Sequence, residues 1–388
     1  MTQSVYLDHN ATTPLDPRAL EAMMPFLTSE FGNPSSSTHE WGLRARKAVE
    51  EARASVAQLI GSSPDEIVFT SGATEANNLA IKGCARLRAR RGLGRHLVTT
   101  YLDHPSVIDV VEALRDDGFE STFISPDSQG IVQPESVIQS LREDTVLVSA
   151  LTANGELGIL EPIGEIGEGC RKKGAIVHTD ATQAVGKVPV DVDEMQVDLL
   201  SMSAHKLYGP KGVGALYVRT GVELEPLFSG GRQERGFRSG TLNVPGIVGL
   251  GTVAALCTQE MEAHSEGLRR LTDELWEGIR AAVPDARLNG HPEQRIPGTI
   301  NVAFPRVNSE RLMLLLKGFA FSASSACQSG KGTLSPVLAA IGLEPELASC
   351  CVRFGLGRGT TREDVQELPA EIAKIVRRIR GPVLKISP

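Results

Sequence analysis

Four stretches of the chain place reactive side chains where a fold could present them. "AIVHTDATQAVG" (175–186) ends an apolar run on Asp180 and continues through small residues and Gln183. "LLSMSAHKLYGPKGVG" (199–214) ends another apolar run on Ser203, His205 and Lys206. "FTSGATEANNLAIKG" (69–83) passes from an apolar segment into Ser71, Gly72, Ala73 and Thr74. "SASSACQSGKG" (322–332) surrounds Cys327 with small residues that lack the bulk to bury a sulfur. It also lacks the second thiol or imidazole that a metal would require.

Each stretch has a plain role and a chemical one. Asp180 caps a loop, or it is a carboxylate held against a protonated ring nitrogen. Lys206 is a surface charge, or an amine held at a strand end, able to lose its proton and form a Schiff base with a carbonyl cofactor. Ser71 or Thr74 caps a helix, or the helix start leaves N–H groups and a positive dipole end free for phosphate. The glycines of "GPKGVG" do not make a nucleotide phosphate loop, whose spacing is absent. Taken together, a phosphate cup, a ring-nitrogen acid and a Schiff-base lysine are what pyridoxal 5′-phosphate requires of its protein.

The elements that must position these groups are legible as periodicity. Apolar runs at 66–70, 96–100, 145–151, 175–180, 199–204 and 214–219 read as buried strands. Helical segments at 40–60, 105–117 and 162–173, and one from about Glu75, alternate with them. That alternation means an α/β domain with a largely parallel sheet. In the 40–60 helix, Trp41, Ala45, Ala48, Val49, Ala52, Val56 and Leu59 are expected on one buried face. The pattern changes near residue 260, where a long helix with Leu268, Leu271, Leu275, Ile279 and Val283 on one stripe precedes three strand-like runs and a last helix. Thr361 and Asp364 form a capping box for that last helix, and Pro369 is expected to kink it or shift its start. The expected division is a large domain at 13–260 and a smaller α+β domain at 1–12 and 261–388.

Bulk properties bound the function. The 388 residues carry 40 basic and 47 acidic side chains, a net charge of −7, which disfavours nucleic acid and anionic membranes. The basic run "KGCARLRARRGLGR" (82–95) is a solvated helix end or a docking patch for an acidic partner. The opening "MTQSVYLDHNATT" lacks the pattern of a signal peptide, and no stretch approaches a membrane span. A reducing cytoplasm is therefore expected, with six free cysteines and no structural metal site. Cys350 and Cys351 read as two small buried hydrophobes in a strand.

In order along nearly the whole chain, "VYLDHNATTPLDP", "GNPSSSTHEWG", "FTSGATEANNLAIKG", "HTDATQAVGKVPVD", "SAHKLYGPKGVGALYVR", "RSGTLNVPGIVGLG", "SSAC" and "VRFGLGR" resemble the NifS/IscS class of cysteine desulfurases. The resemblance implies the aspartate-aminotransferase-like fold (fold type I of pyridoxal-phosphate proteins) and a homodimer. It implies that Lys206 carries the cofactor, Asp180 holds its ring nitrogen, Gln183 its ring oxygen, and that His104 of "YLDHPS" stacks on the ring and moves protons. Ala73, Thr74, Ser203 and His205 would hold the phosphate, and Thr241 would reach the partner subunit's phosphate. Asn154 and Arg353 would orient L-cysteine, with Arg353 pairing its carboxylate. Cys327 would take the sulfur as a persulfide, leaving alanine, and pass it to an acceptor serving iron–sulfur assembly, tRNA thiolation or DNA sulfur modification. Two departures from the family pattern stand out. Gly155 replaces the second Asn of "NNE", a change expected to loosen that loop, and "QSGKGTLSP" after Cys327 is unusually glycine-rich. The rival readings are a selenocysteine lyase or another fold type I transferase, a silent scaffold for sulfur carriers, and, weakest, a nucleic-acid-binding module.

Overall fold

The computed structural model describes residues 4–323 and 335–381, so Cys327 lies outside the described residues. A two-residue strand β1 (Val5–Tyr6) and helices α1 (Pro17–Thr28) and α2 (Glu40–Leu59) precede β2 (Ile67–Thr70). There follow α3 (Ala73–Arg90), β3 (His96–Thr100), α4 (Pro105–Ala113), β4 (Glu120–Ile124), α5 (Pro134–Ser140) and β5 (Thr145–Ser149). Then come α6 (Ile163–Lys172), β6 (Ile176–Asp180), β7 (Leu199–Ser203) and β8 (Gly214–Val218). The long α7 (Val244–Ala282) leads to β9 (Arg287–Asn289), β10 (Thr299–Ala303), β11 (Phe319–Ala320), β12 (Ser322–Ala323), β13 (Cys351–Gly355) and a closing helix, Arg362–Arg380.

Seven strands form the main sheet in the order β2-β8-β7-β6-β5-β3-β4. Neighbours from β7 to β4 pair parallel, and β8 runs antiparallel between β7 and β2. Helices α3 and α4 cover one face with an apolar cluster that includes Val68, Leu79, Leu97, Val111 and Leu147. Helix α2 and the first half of α7 belong to the cluster on the other face, with Val56, Phe69, Val148, Met202 and Leu250. Being covered on both sides is why β3, β5 and β7 are buried at every residue and read as unbroken apolar runs. β4 and α5 are additions to the expected elements. β4 is an edge strand, "ESTFI" is half exposed, and an edge strand needs no continuous apolar run.

The pattern break expected near residue 260 falls in the middle of a helix, because α7 begins at Val244. Its later residues Leu275 and Ile279 pack with Val302, Phe354 and Leu368 in a separate cluster beside the four-stranded antiparallel sheet β12-β13-β10-β9. The chain's start joins this region: β1 pairs with β11, and Asp8 bridges Gly355 at the end of β13. The closing helix has the expected Thr361–Asp364 capping box and begins at Arg362, so Pro369 lies inside it and does not shift its start. Trp41 corrects the expected face of α2. Ala45, Val49 and Val56 are buried, but Trp41 is 48% exposed in the first turn, where the stripe has run past the edge of the core. Cys350 and Cys351 are free and buried, the second inside β13.

Candidate active site

The carboxyl ends of β2, β6 and β7 meet at one edge of the sheet. Ser203 pairs with Gly214, which pairs in turn with Thr70, so the end of β7 lies two strands from the turn into α3. That turn carries no side-chain cap. Gly72 starts α3 at φ 150°, with no side-chain cap on the first-turn N–H groups. The Ser71 N–H is instead taken by the Glu75 carboxylate at 2.8 Å. The plain capping role is thus not used, and the N–H groups at Ala73 and Thr74 start an uncapped helix of 18 residues. A Cβ at Gly72 would stand 3.7 Å from Ser203 Oγ, and one at Gly214 would stand 2.7 Å from the Cα of Gly72. The two glycines let two backbones meet and keep the Ser203 hydroxyl beside an open helix N-terminus, which suits a phosphate.

Asp180 ends β6 and is buried, with 6% exposure. Its Oδ1 accepts from the Thr182 N–H (3.0 Å) and its Oδ2 from Asn77 Nδ2 (2.8 Å). Asn77 also donates to Ser106 Oγ (2.9 Å), and that hydroxyl lies 2.8 Å from His104 Nδ1. The Ser106 backbone N–H also donates to Nδ1, so the imidazole proton of neutral His104 sits on Nε2. The ring reaches solvent, yet surrounding protein desolvates it and lowers its pKa. The Asp180 charge opposes that shift and the Lys206 charge adds to it. His104 is therefore neutral near neutral pH.

Lys206 ends the single turn Ala204–Lys206 after β7. Its Nζ donates to the Asn10 carbonyl and, at 2.8 Å, to the Ala11 carbonyl. Gln183 donates from Nε2 to the same Asn10 carbonyl at 2.9 Å. His205 lies 3.1 Å from Thr12 Oγ1, and burial and the nearby lysines push its pKa down to about 4. The segment 8–13 is thus the hub of the site, and sequence reading assigned it no role. Its hint was a polar-dense run, "DHNATT", beside an otherwise strand-like start. Asn77 and Ser106 were missed too. Asn77 was findable as a lone polar residue on the buried face of α3, beside Ala76, Leu79 and Ala80.

Arg353, in the middle of β13, donates from Nη2 to Asp8 Oδ1 (2.7 Å) and from Nη1 to the Gly155 carbonyl (3.0 Å). Its Nε is buried and has no partner among the described residues. The guanidinium is thereby fixed from two sides, and among the described residues three of its five N–H donors stay uncommitted for an incoming acceptor. Asn154 is buried. It donates from Nδ2 to the Leu102 carbonyl (3.0 Å), and its Oδ1 accepts the N–H groups of Glu156 and Leu157. Gly155 does not loosen this loop. Its carbonyl binds both Asn10 Nδ2 and Arg353, and a Cβ there would stand 2.7 Å from Gln183 Nε2. The glycine admits a close approach that an asparagine would obstruct. Burial raises three nearby carboxyls, Asp103 and Glu156 to about 7 and Glu161 to about 8.

Thr241 is exposed, two residues before the Asn243 cap of α7. Three of the six basic residues in the run 82–95 pair with carboxylates outside it: Arg86 with Asp117, Arg90 with Glu225 and Arg91 with Glu223. Arg88 and Arg95 bond the carbonyls of Gly174 and Asp117. That is the solvated-helix reading, not a free basic patch.

The donor set fits the cofactor: an uncapped helix start for phosphate, a buried carboxylate for a ring nitrogen, and a lysine just past the end of the neighbouring strand. Fold and site together define a pyridoxal 5′-phosphate-dependent protein of fold type I. The chain belongs to the class-V aminotransferase family, whose model matches residues 5–368, and within it to the cysteine desulfurases. It is 48% identical over 378 residues to cysteine desulfurase IscS of Anaeromyxobacter dehalogenans, covering 97% of this chain and 93% of that one. A solved NifS-like protein superposes with a TM-score of 0.90 at 36% identity, covering 97% of this chain and all of that one. SspA, solved in complex with cysteine, superposes with a TM-score of 0.82 at 36% identity, over 92% of this chain and 100% of that one.

Proposed function

We propose that this enzyme removes sulfur from L-cysteine, releases L-alanine and holds the sulfur as a persulfide on Cys327 for delivery to an acceptor protein. The observation that carries the reading is the convergence of Lys206, Asp180 and His104 with Arg353, whose buried Nε has no partner among the described residues. The complex of the related SspA with cysteine supports the substrate.

Lys206 would attach the cofactor and Asp180 would keep its ring nitrogen protonated. Ala73, Thr74, Ser203 and His205 would hold its phosphate, and Gln183 its ring oxygen. Once bound, the cofactor supplies an electron sink that lets bonds at the substrate's α-carbon and its neighbour break. Arg353 pairs with the substrate carboxylate, with Asp8 and the Gly155 carbonyl holding the guanidinium still. Asn154 orients the substrate with the amide N–H that remains after Leu102 is bound. His104 and Lys206 move the protons, His104 from a neutral imidazole whose Nδ1 is anchored on Ser106. The Cys327 thiolate attacks the substrate sulfur. A new S–S bond forms, the C–S bond breaks, and its electron pair stays on carbon, which takes a proton to become alanine.

The same reading makes the protein a cytoplasmic homodimer, with a cofactor-carrying body at 13–260 and a smaller body at 1–12 and 261–388. Support for the dimer comes from α1, where Leu20, Met24 and Leu27 are exposed at helical spacing and followed by exposed Phe31 and Trp41. Thr241 of one subunit would then reach the other's phosphate. The test supplies L-cysteine and a reductant and measures sulfide and alanine. Cys327→Ser should keep the yellow cofactor and lose persulfide formation. Sulfide release at the wild-type rate from that variant would remove Cys327 from the mechanism.

A further inference from the structure

Lys187 lies four residues after Gln183, in the turn that follows β6. Its backbone is fixed on both sides: its N–H donates to the Ala184 carbonyl (2.9 Å), and its own carbonyl accepts from Ser265 on α7. Its Nζ donates to Gln183 Oε1 at 2.8 Å. The other end of that amide, Nε2, donates to the Asn10 carbonyl at 2.9 Å, the same carbonyl that Lys206 binds. We propose that Lys187 is a positioning residue, which orients the Gln183 amide so that an N–H, and not its carbonyl, faces the oxygen of the cofactor ring. The inference rests on the assignment of Gln183 to that oxygen.

The orientation follows from what each partner can do. A backbone carbonyl only accepts, so it must face the NH2 end of the amide, and Lys187 Nζ, which carries N–H donors in either protonation state, donates to the oxygen at the other end. With Oε1 held by Lys187 and one N–H held by Asn10, a single N–H remains. Gly155 presses on the same group, since a Cβ there would stand 2.7 Å from Nε2. The placement of Lys187 is costly. It lines one small cavity with Lys206, His9 and Arg358, and the two charges that act on it, Lys206 and Arg353, are both cations. Burial and these cations lower its pKa to about 7. An apolar side chain of similar length would avoid that cost but could not hold Oε1.

The readout is the pH at which the visible absorption of the bound cofactor changes, titrated in the holoenzyme. Removing an N–H donor from an anionic ring oxygen should move that transition upward by roughly half a pH unit to one unit, the worth of one hydrogen bond. Gln183→Leu, Lys187→Met and the double variant are compared with wild type. The proposal expects both single variants to shift the transition upward, and the double variant to shift it no further than Gln183→Leu alone. If Gln183→Leu leaves the transition in place, Gln183 does not touch the ring oxygen, and the proposal falls with that assignment. If Gln183→Leu shifts it while Lys187→Met does not, or if the two shifts add, Gln183 keeps its role and Lys187 does not act through it. A lower melting temperature for Lys187→Met with an unmoved transition likewise overturns the proposal and leaves Lys187 a purely structural residue.

Discussion

The proposed cofactor side and the proposed substrate side of this site are assembled in different ways. Asp180, Ser203 and Lys206 stand on the ends of two adjacent parallel strands, β6 and β7, within 27 residues of one another. The sheet that carries them is buried on both faces, so their positions follow from strand pairing alone. Arg353 sits on a different sheet and is held by Asp8, 345 residues away in the chain, and by Gly155, 198 away. The segment 8–13 spans the two sides, its Asn10 carbonyl accepting from Lys206 and Gln183 and its Asn10 amide donating to Gly155. One side is set by local architecture and the other by a strap from the chain's start. Cofactor binding and substrate recognition should therefore be separable by mutation.

The largest effect is expected on the cofactor side. Lys206→Ala should abolish the cofactor's visible absorption band and lower desulfurase activity by more than ~10³-fold, through loss of both attachment and proton transfer. Absorption spectra and alanine release measure the two effects. On the substrate side, Arg353→Ala should leave the absorption band intact. It should reduce kcat/KM for L-cysteine by about 10- to 150-fold, the value of a charge-assisted hydrogen bond, and Asp8→Asn should cost less, about 2- to 10-fold. A weakened cofactor in Arg353→Ala would mean that the two sides are not independent.

The smallest effect concerns stability. Burial raises Glu161 from its ordinary 4.5 to about 8, with the Asp103 charge adding to the shift and the Val132 N–H opposing it. A raised carboxyl contributes its full stability below its unfolded pKa and loses it as pH rises through the folded value. Glu161→Gln should therefore gain a few degrees in melting temperature at about pH 8.5 and gain little at about pH 4. An equal change at both pH values would mean that the effect is packing and not charge.

Much of the cofactor side was legible because an apolar run that ends on a polar residue marks a strand end, and strand ends are where such sheets bind ligands. His104 was carried only by the family resemblance, because one histidine before a helix has no distinguishing pattern. The strap was legible as a motif but not as a contact, since nothing in "DHNATT" says which distant groups its carbonyls will meet. Gly155 was misread for the same reason: a glycine suggests freedom until its neighbours are known.

By itself, the sequence determined the periodicities, and with them the sheet, its covering helices and the reactive residues at the ends of β6 and β7. These depend on spacings of two and 3.6 residues, which are local. Only the tertiary structure decided that Asp8 steadies Arg353, that Asn10 joins Lys206 to Gln183, and that Lys187 turns its amine inward. Those pairings bring together residues far apart in the chain, and no local spacing encodes which surfaces will meet once the two apolar clusters have packed.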